Sequence, residues 1–292
     1  MKLLRLIIIL LMCWVSFVTL AFANAIYEIP IQMINGLPTI DVIVNGKKIN
    51  LVVDFGGRNT ISLNRQVVNQ PLEAPIYTGV VKKNIDAAGN LYDVDEVVFQ
   101  HIDLNGLTLS YVVGTTFSQH WGLYLSEDNE NYSHEFTREQ ENTNGIIGID
   151  LLANHSVLLD YKENKIILCD KNLPQKYSNL TWKQGLLKLD NQGIIFDGKI
   201  NGVNGSFLID TAATVSFIRK IFLDKKLNTN TQSKVTQHDI LLNNNDLINV
   251  SFYIYDFEEP EVDGIIGHDF LMKHLVYLDF HNNQIYIHEQ SF

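Results

Sequence analysis

Short apolar and alternating runs, punctuated by turn residues, dominate this chain. Thr39 to Val44 and Asn50 to Val53 are two such runs, and Asn45-Gly46 between them is a strong hairpin signal. Val157 to Asp160 and Lys165 to Leu168 form a second predicted hairpin around Glu163-Asn164, and a similar pattern surrounds Asn282-Asn283. Leu104-Asn105-Gly106 marks a further turn. Helical periodicity is weak. It predicts only short helices, at Asp150 to Asn154 and at Asp269 to His274, with Asp150 and Asp269 as their caps. The expectation is an all-β protein with few short helices.

The pattern occurs twice. Ile49 to Gly57, reading INLVVDFGG, is echoed by Gly205 to Ala213, reading GSFLIDTAA, and Asp54 and Asp210 lie 156 residues apart. Asn144 to Leu152 is echoed by Asp263 to Leu271, with Gly145 and Gly264 119 residues apart. Val157, Leu159 and Asp160 then match Val276, Leu278 and Asp279. A period this long, present only twice, predicts duplicated lobes and not a solenoid. The first copy is longer by 37 residues between its two blocks. The excess falls in a hairpin tip at Ala87-Ala88-Gly89-Asn90 and in the polar, acidic stretch 115–143, read as a solvated surface excursion, with a rim over a binding cleft as the alternative. The lobe boundary is expected in Lys171 to Ser178, a polar stretch containing Pro174. The organisation read from this is 1–25 leader, 26–174 first lobe and 175–292 second lobe.

Residues 1–25 read as a secretory signal. Lys2 and Arg5 precede an apolar stretch from Leu6 to Leu20, and Ala23-Asn24-Ala25 is a small-x-small cleavage site. A retained membrane anchor is the rival reading. Removal of the leader moves the formal charge from -11 to -13, an acidity that argues against nucleic acid or an anionic membrane as partner. Of the two cysteines only Cys169 would remain, so no internal disulfide is expected; at the end of an apolar run, it reads as buried and inert. The expected location is the periplasm or the medium. With 46% hydrophobic residues, the chain can bury a sizeable core without a staple.

The repeated blocks resemble the aspartic peptidases, both the bilobal pepsin-like and the retropepsin-like enzymes. The family pattern is two apolar residues, Asp, Thr or Ser, Gly, then a small residue, followed downstream by two apolar residues and glycine. Leu208-Ile209-Asp210-Thr211-Ala212-Ala213 matches with Ala212 in place of glycine, and Val52-Val53-Asp54-Phe55-Gly56-Gly57 matches with Phe55 in place of the hydroxyl residue. Ile146-Ile147-Gly148 and Ile265-Ile266-Gly267 match the downstream element. The resemblance implies two pseudo-symmetric β lobes with a central cleft, Asp54 and Asp210 as a catalytic dyad sharing one proton, and no metal or cofactor. It also implies contact with an extended peptide or protein substrate through Gly56, Thr211 and Ala212, and through a flap whose tip holds Ala88 and Gly89. A single chain carrying both aspartates is expected to act as a monomer. The alternative is an impaired pseudopeptidase that binds peptides or proteins.

The departures carry their own expectations. Family Thr or Ser after the aspartate locks each loop to the opposite lobe; Phe55 cannot, while Thr211 can. Ala212 adds a methyl group and would be strained by about 1 kcal/mol or more if its loop needs a positive φ. Gly57 and Ala213 stand where a pKa-lowering hydroxyl often sits, so the dyad is expected to work at mildly acidic pH. Competing chemistries are weaker. Arg138 stands where a zinc motif beginning His134-Glu135 needs its second histidine, and His268, His274, His281 and His288 are scattered. Ser206 and Ser216 lack a nucleophile elbow. Asp160 and Asp279 read as hairpin residues.

Overall fold

The computed structural model describes residues 25–68, 73–85, 91–118, 144–170, 173–226, 234–243, 246–257 and 261–290. The leader, the tip at 86–90 and most of the 115–143 stretch lie outside the described residues; Thr115 to Phe117 lie in a strand with Thr116 and Phe117 buried, so any surface excursion begins after them.

The first half contains β1 (Ile26–Pro30), β2 (Gln32–Ile34), β3 (Leu37–Val44), β4 (Lys47–Asp54), β5 (Ile61–Asn64) and β6 (Ile76–Ile85). It continues through β7 (Leu91–Leu104), β8 (Leu107–Phe117), β9 (Gly145–Gly148), β10 (Ser156–Asp160) and β11 (Lys165–Cys169). The second half holds β12 (Lys183–Asp190), β13 (Gly193–Ile200), β14 (Val203–Ile209), β15 (Phe217–Ile218) and β16 (Val235–Leu241). It ends with β17 (Leu247–Ile254), β18 (Gly264–Ile266), β19 (His274–Asp279) and β20 (Gln284–Glu289). The described helices are single turns or little more, as the weak helical periodicity predicts.

Each lobe closes on itself. In the first the order is β3-β4-β9-β5-β8-β7, and β7 returns to pair with β3. In the second it is β13-β14-β18-β15-β17-β16, and β16 returns to β13. Closure removes sheet edges that would otherwise invite pairing with another chain. The tight turns follow the sequence: Asn45-Gly46 and Asn201-Gly202 take φ of 47° and 81°, and 52° and 82°. Asparagine and glycine tolerate this left-handed region, which a type I′ hairpin requires at both central positions.

A six-stranded antiparallel sheet, β1-β11-β10-β19-β20-β12, runs beneath both lobes and joins them. At its centre Leu158 pairs with Tyr277, flanked by Val157 with Leu278 and Leu159 with Val276. Leu158 and Tyr277 are counterparts in the repeat, so the pseudo-two-fold axis passes between them. Its outer members are β1 from the first half and β12 from the second.

The lobes differ at one edge. The hairpin of β6 and β7 reaches the pair Ile85 and Leu91 and adds β6 outside the closed ring. Among the described residues the second lobe has no such strand. This is the hairpin expected to carry the flap; Ala88 and Gly89 at its tip lie outside the described residues.

Cys169 is buried, and burial first, then the charge of Asp170, pushes its thiol up to about 11. The buried state read from the sequence is what the fold gives. Asp160 and Asp279 shape their hairpins by accepting the backbone N–H of Glu163 and Asn282, each at 3.1 Å. Asp160 also takes the buried Tyr177 hydroxyl at 2.6 Å.

One local expectation needs correction, and the condition attached to another is not met. Asp150 does not cap a helix, and Asp269 does so only in part: the short turns Ile149–Leu151 and His268–Leu271 follow extended Gly148 and Gly267, and Asp269 accepts the Phe270 N–H of its own turn at 2.9 Å. A single turn offers few free N–H groups, and stronger partners compete for the carboxylates. Asp150 pairs with Arg58, while Asp269 accepts the Ser216 hydroxyl at 2.7 Å. Nor is Ala212 strained, since it is not among the residues with positive φ.

Candidate active site

Asp54 ends β4 and Asp210 follows β14. Each loop is held by the glycine element of its own lobe. Strand β4 runs parallel to β9, with Asp54 opposite Gly148, and β14 runs parallel to β18, with Ile209 opposite Ile266. The glycines are required by space. A Cβ on Gly148 would lie 2.3 Å from the Asn59 carbonyl oxygen, and one on Gly267 would lie 2.4 Å from that of Val215. Asn59 and Val215 are counterparts 156 residues apart, so the same close approach is built twice.

Between the lobes, Gly56 brings the two aspartates together. Its N–H donates to Asp54 Oδ1 at 2.9 Å. A Cβ on the same residue would sit 2.4 Å from Asp210 Cγ. One glycine thus touches both carboxyl groups, which are on loops from opposite lobes. Thr211 fastens the loops. Its hydroxyl donates to the Val53 carbonyl at 2.7 Å and accepts the Phe55 N–H at 3.0 Å. Thr211 is fully buried, so both bonds are shielded from water. Phe55 makes no reciprocal grip; its ring is fully buried in the apolar core.

The two carboxylates are not equivalent. Asp210 Oδ1 accepts the N–H groups of Ala212 at 2.8 Å and Ala213 at 3.0 Å. Asp54 Oδ1 has the Gly56 N–H. Hydrogen bonds to the charged form favour ionisation. Burial, and then the charge of Asp210, push Asp54 up to about 7. Burial also raises Asp210, against the two backbone donors that hold it down. When the pair carries one proton, Asp54 is the better place for it.

Gly56, Thr211 and Ala212 therefore lie at the aspartate pair. Ala212 keeps the N–H that binds Asp210, so the methyl group does not remove the donor. Two further residues were not singled out from the sequence. Arg58 links the Asp54 loop to Asp150 and to the second lobe, donating to the Asp190 carbonyl at 2.8 Å. Tyr161 is buried edge-on against His268, with ring centroids 4.8 Å apart. Burial, and then the charge of Asp210, push its phenol above the ordinary value. Comparison of the repeats could have flagged Tyr161, because its counterpart is Phe280 and the hydroxyl is the difference. Among the described residues no cluster of three or more metal-ligating side chains occurs, and no helix is long and apolar enough to cross a membrane.

The chain is similar in structure to an aspartic proteinase from Irpex lacteus, with a TM-score of 0.63 and 13% identity over 92% of this chain and 98% of that one. It is also similar to basic 7S globulin from soybean, with a TM-score of 0.57 and 12% identity over 92% and 96% of the two chains. For conglutin gamma, a basic 7S globulin from lupine seeds, the TM-score is 0.58 and the identity 11%, again over 92% and 96%. No family model matches the chain, and no curated protein matches it in sequence. At such identities the likeness establishes the fold alone: this is a pepsin-like, bilobal β protein.

Proposed function

We propose that the chain is an aspartic-type endopeptidase. The observation that carries the reading is the contact of both carboxyl groups with Gly56, on loops fastened across the lobes by Thr211. Two carboxyl groups so placed in a low-dielectric site share one proton, and their different donors assign the roles.

Asp210, the carboxylate held by two backbone N–H groups, takes a proton from a water molecule held between the pair. The water oxygen forms a bond to the scissile carbonyl carbon, and the carbonyl oxygen takes the proton of Asp54. In the tetrahedral diol that results, Asp210 is protonated and Asp54 ionised. Collapse returns a hydroxyl proton to Asp54, the Asp210 proton goes to the amide nitrogen, and the C–N bond breaks. The enzyme regains its starting state, and no covalent enzyme intermediate forms. The substrate is a peptide or protein in extended conformation, and one chain suffices because it carries both aspartates. Export to the periplasm or medium goes with the reading of residues 1–25 as a leader.

Phe55 favours a second reading, a peptide-binding module of the same fold, because it removes one half of the inter-lobe lock. Turnover separates the two. The purified protein should cleave an extended-peptide library at mildly acidic pH, and a pepstatin-type transition-state mimic should inhibit it. Saturable binding of that mimic without cleavage of any library member would favour the module.

A further inference from the structure

We propose that Arg58 positions the Asp54 loop against the second lobe, standing in for the hydroxyl that Phe55 lacks. The inference rests on the peptidase reading for its effect on turnover, but the tie itself is independent of that reading.

The loops are joined from one side only by the Thr211 hydroxyl. That single group holds the backbone of Val53 and Phe55. The reciprocal tie would have to come from position 55, where the side chain is a buried benzyl group with no donor or acceptor. Three residues further along the same loop, the Arg58 guanidinium crosses between the lobes. Its Nη1 donates to the carbonyl of Asp190, at the end of β12, at 2.8 Å. Its Nε pairs with Asp150, just after the glycine element of the first lobe. One planar group therefore binds loop, glycine element and opposite lobe together.

The turn it reaches is ordered and close to the dyad. Asp190 Oδ1 accepts the Gln192 N–H at 2.8 Å, which fixes the turn between β12 and β13. A Cβ on Gly193, at the end of that turn, would lie 3.5 Å from the carbonyl oxygens of both Phe55 and Gly56. The turn thus packs directly on the peptide units that carry the Gly56 N–H to Asp54.

The pseudo-symmetry shows that this device belongs to one side. The counterpart of Arg58 is Thr214, which carries no charge. The counterpart of Asp150 is Asp269, which is satisfied within its own lobe by the Ser216 hydroxyl and the Phe270 N–H. In the corresponding turn of the first lobe, Ile34 and Leu37 stand where the second lobe has Asp190 and Gly193. The added tie is therefore found on the loop whose hydroxyl is missing, and not on the loop that retains it.

Arg58 and Asp150 are partly open to solvent, with side-chain exposures of 35% and 24%. Exposed ion pairs contribute little to global stability. The fixed fork of donors on arginine sets direction, and lysine cannot reproduce it. The expected consequence of losing Arg58 is a loosened loop in a protein that remains folded.

The test measures amide hydrogen exchange in segments 55–57 and 190–193, together with kcat and KM, for wild type, Arg58→Lys, Arg58→Gln and Asp150→Asn. We expect Arg58→Gln to speed exchange in both segments by about tenfold or more, with the protection of the central sheet unchanged. Arg58→Lys should behave nearly as Arg58→Gln. Turnover should fall in kcat more than it rises in KM. In a Phe55→Thr background, the added hydroxyl should reduce the effect of Arg58→Gln on both readouts. Unaltered exchange in both segments for Arg58→Gln would overturn the proposal, whatever the turnover. A wild type without turnover would sink the peptidase reading and leave the exchange comparison to decide the role of Arg58.

Discussion

The Asp210 carboxylate occupies the space that a side chain on Gly56 would need. Its Cγ, Oδ2 and Oδ1 lie 2.4, 2.6 and 2.7 Å from the position of a Cβ at residue 56. Real atoms do not approach so closely, so Gly56→Ala must push the lobes or the Asp210 loop apart. Overpacking of this kind costs about 1–3 kcal/mol. We expect a lower melting temperature and loss of turnover by about a hundredfold, a magnitude that misplacement of about 1 Å produces. A Gly56→Ala protein as stable and active as wild type would show that the two loops do not meet at this residue.

Thr211 supplies the buried hydroxyl between the loops. Thr211→Val keeps its shape and leaves the Phe55 N–H and the Val53 carbonyl without their partner. A buried orphan costs about 1–3 kcal/mol. Thr211→Ser keeps the hydroxyl and removes one methyl group, so it should cost less. Denaturant midpoints of the two variants make the comparison, and equal midpoints would contradict the lock.

The pH dependence follows from the raised carboxyl groups. Asp54 is pushed up to about 7 by burial and by Asp210, while an unfolded aspartate titrates near 3.9. The folded state therefore binds this proton more tightly than the unfolded state. The resulting stabilisation is fully present below the unfolded value and is lost as pH rises through about 7. Asp54→Asn removes this titration while preserving volume. Its melting temperature relative to wild type should rise between pH 5 and pH 8. A constant difference across that range would show that Asp54 is not raised. For turnover, the alkaline limb should fall near neutrality, where the shared proton is lost.

Tyr161 is 2% exposed, and its hydroxyl has no hydrogen-bond partner among the described residues. Its counterpart Phe280 lacks that hydroxyl. Tyr161→Phe should therefore be neutral or stabilising by up to about 1 kcal/mol, since an unsatisfied buried donor is removed. Calorimetric unfolding checks this. Destabilisation by more than about 1 kcal/mol would reveal a buried water bonded to the phenol.

Much of this architecture was legible because the chain states it twice. The hairpins followed from Asn-Gly turns, and the constant spacing around Asp54 and Asp210 pointed to paired loops. The sheet under both lobes was not legible. The pairing of Leu158 with Tyr277 joins strands far apart in sequence, with no turn residues to announce the register. The pairing of Asp150 with Arg58 and the bond from Ser216 to Asp269 were missed because these partners are brought close only by the folded loops. The absence of a hydroxyl at Phe55 was visible; the crossing of Arg58 to Asp190 needed three-dimensional placement. Ala212 raised a question of backbone strain that only its φ could answer.

The most direct measurement is peptide hydrolysis by wild type, Asp54→Asn, Asp210→Asn and the double Asn variant at pH 5, with each protein shown to be folded by its melting curve. The wild type should turn over, and each single substitution should abolish cleavage to a similar extent, because residues that act as one unit do not contribute additively. Equal cleavage by wild type and the double Asn variant would contradict the dyad mechanism.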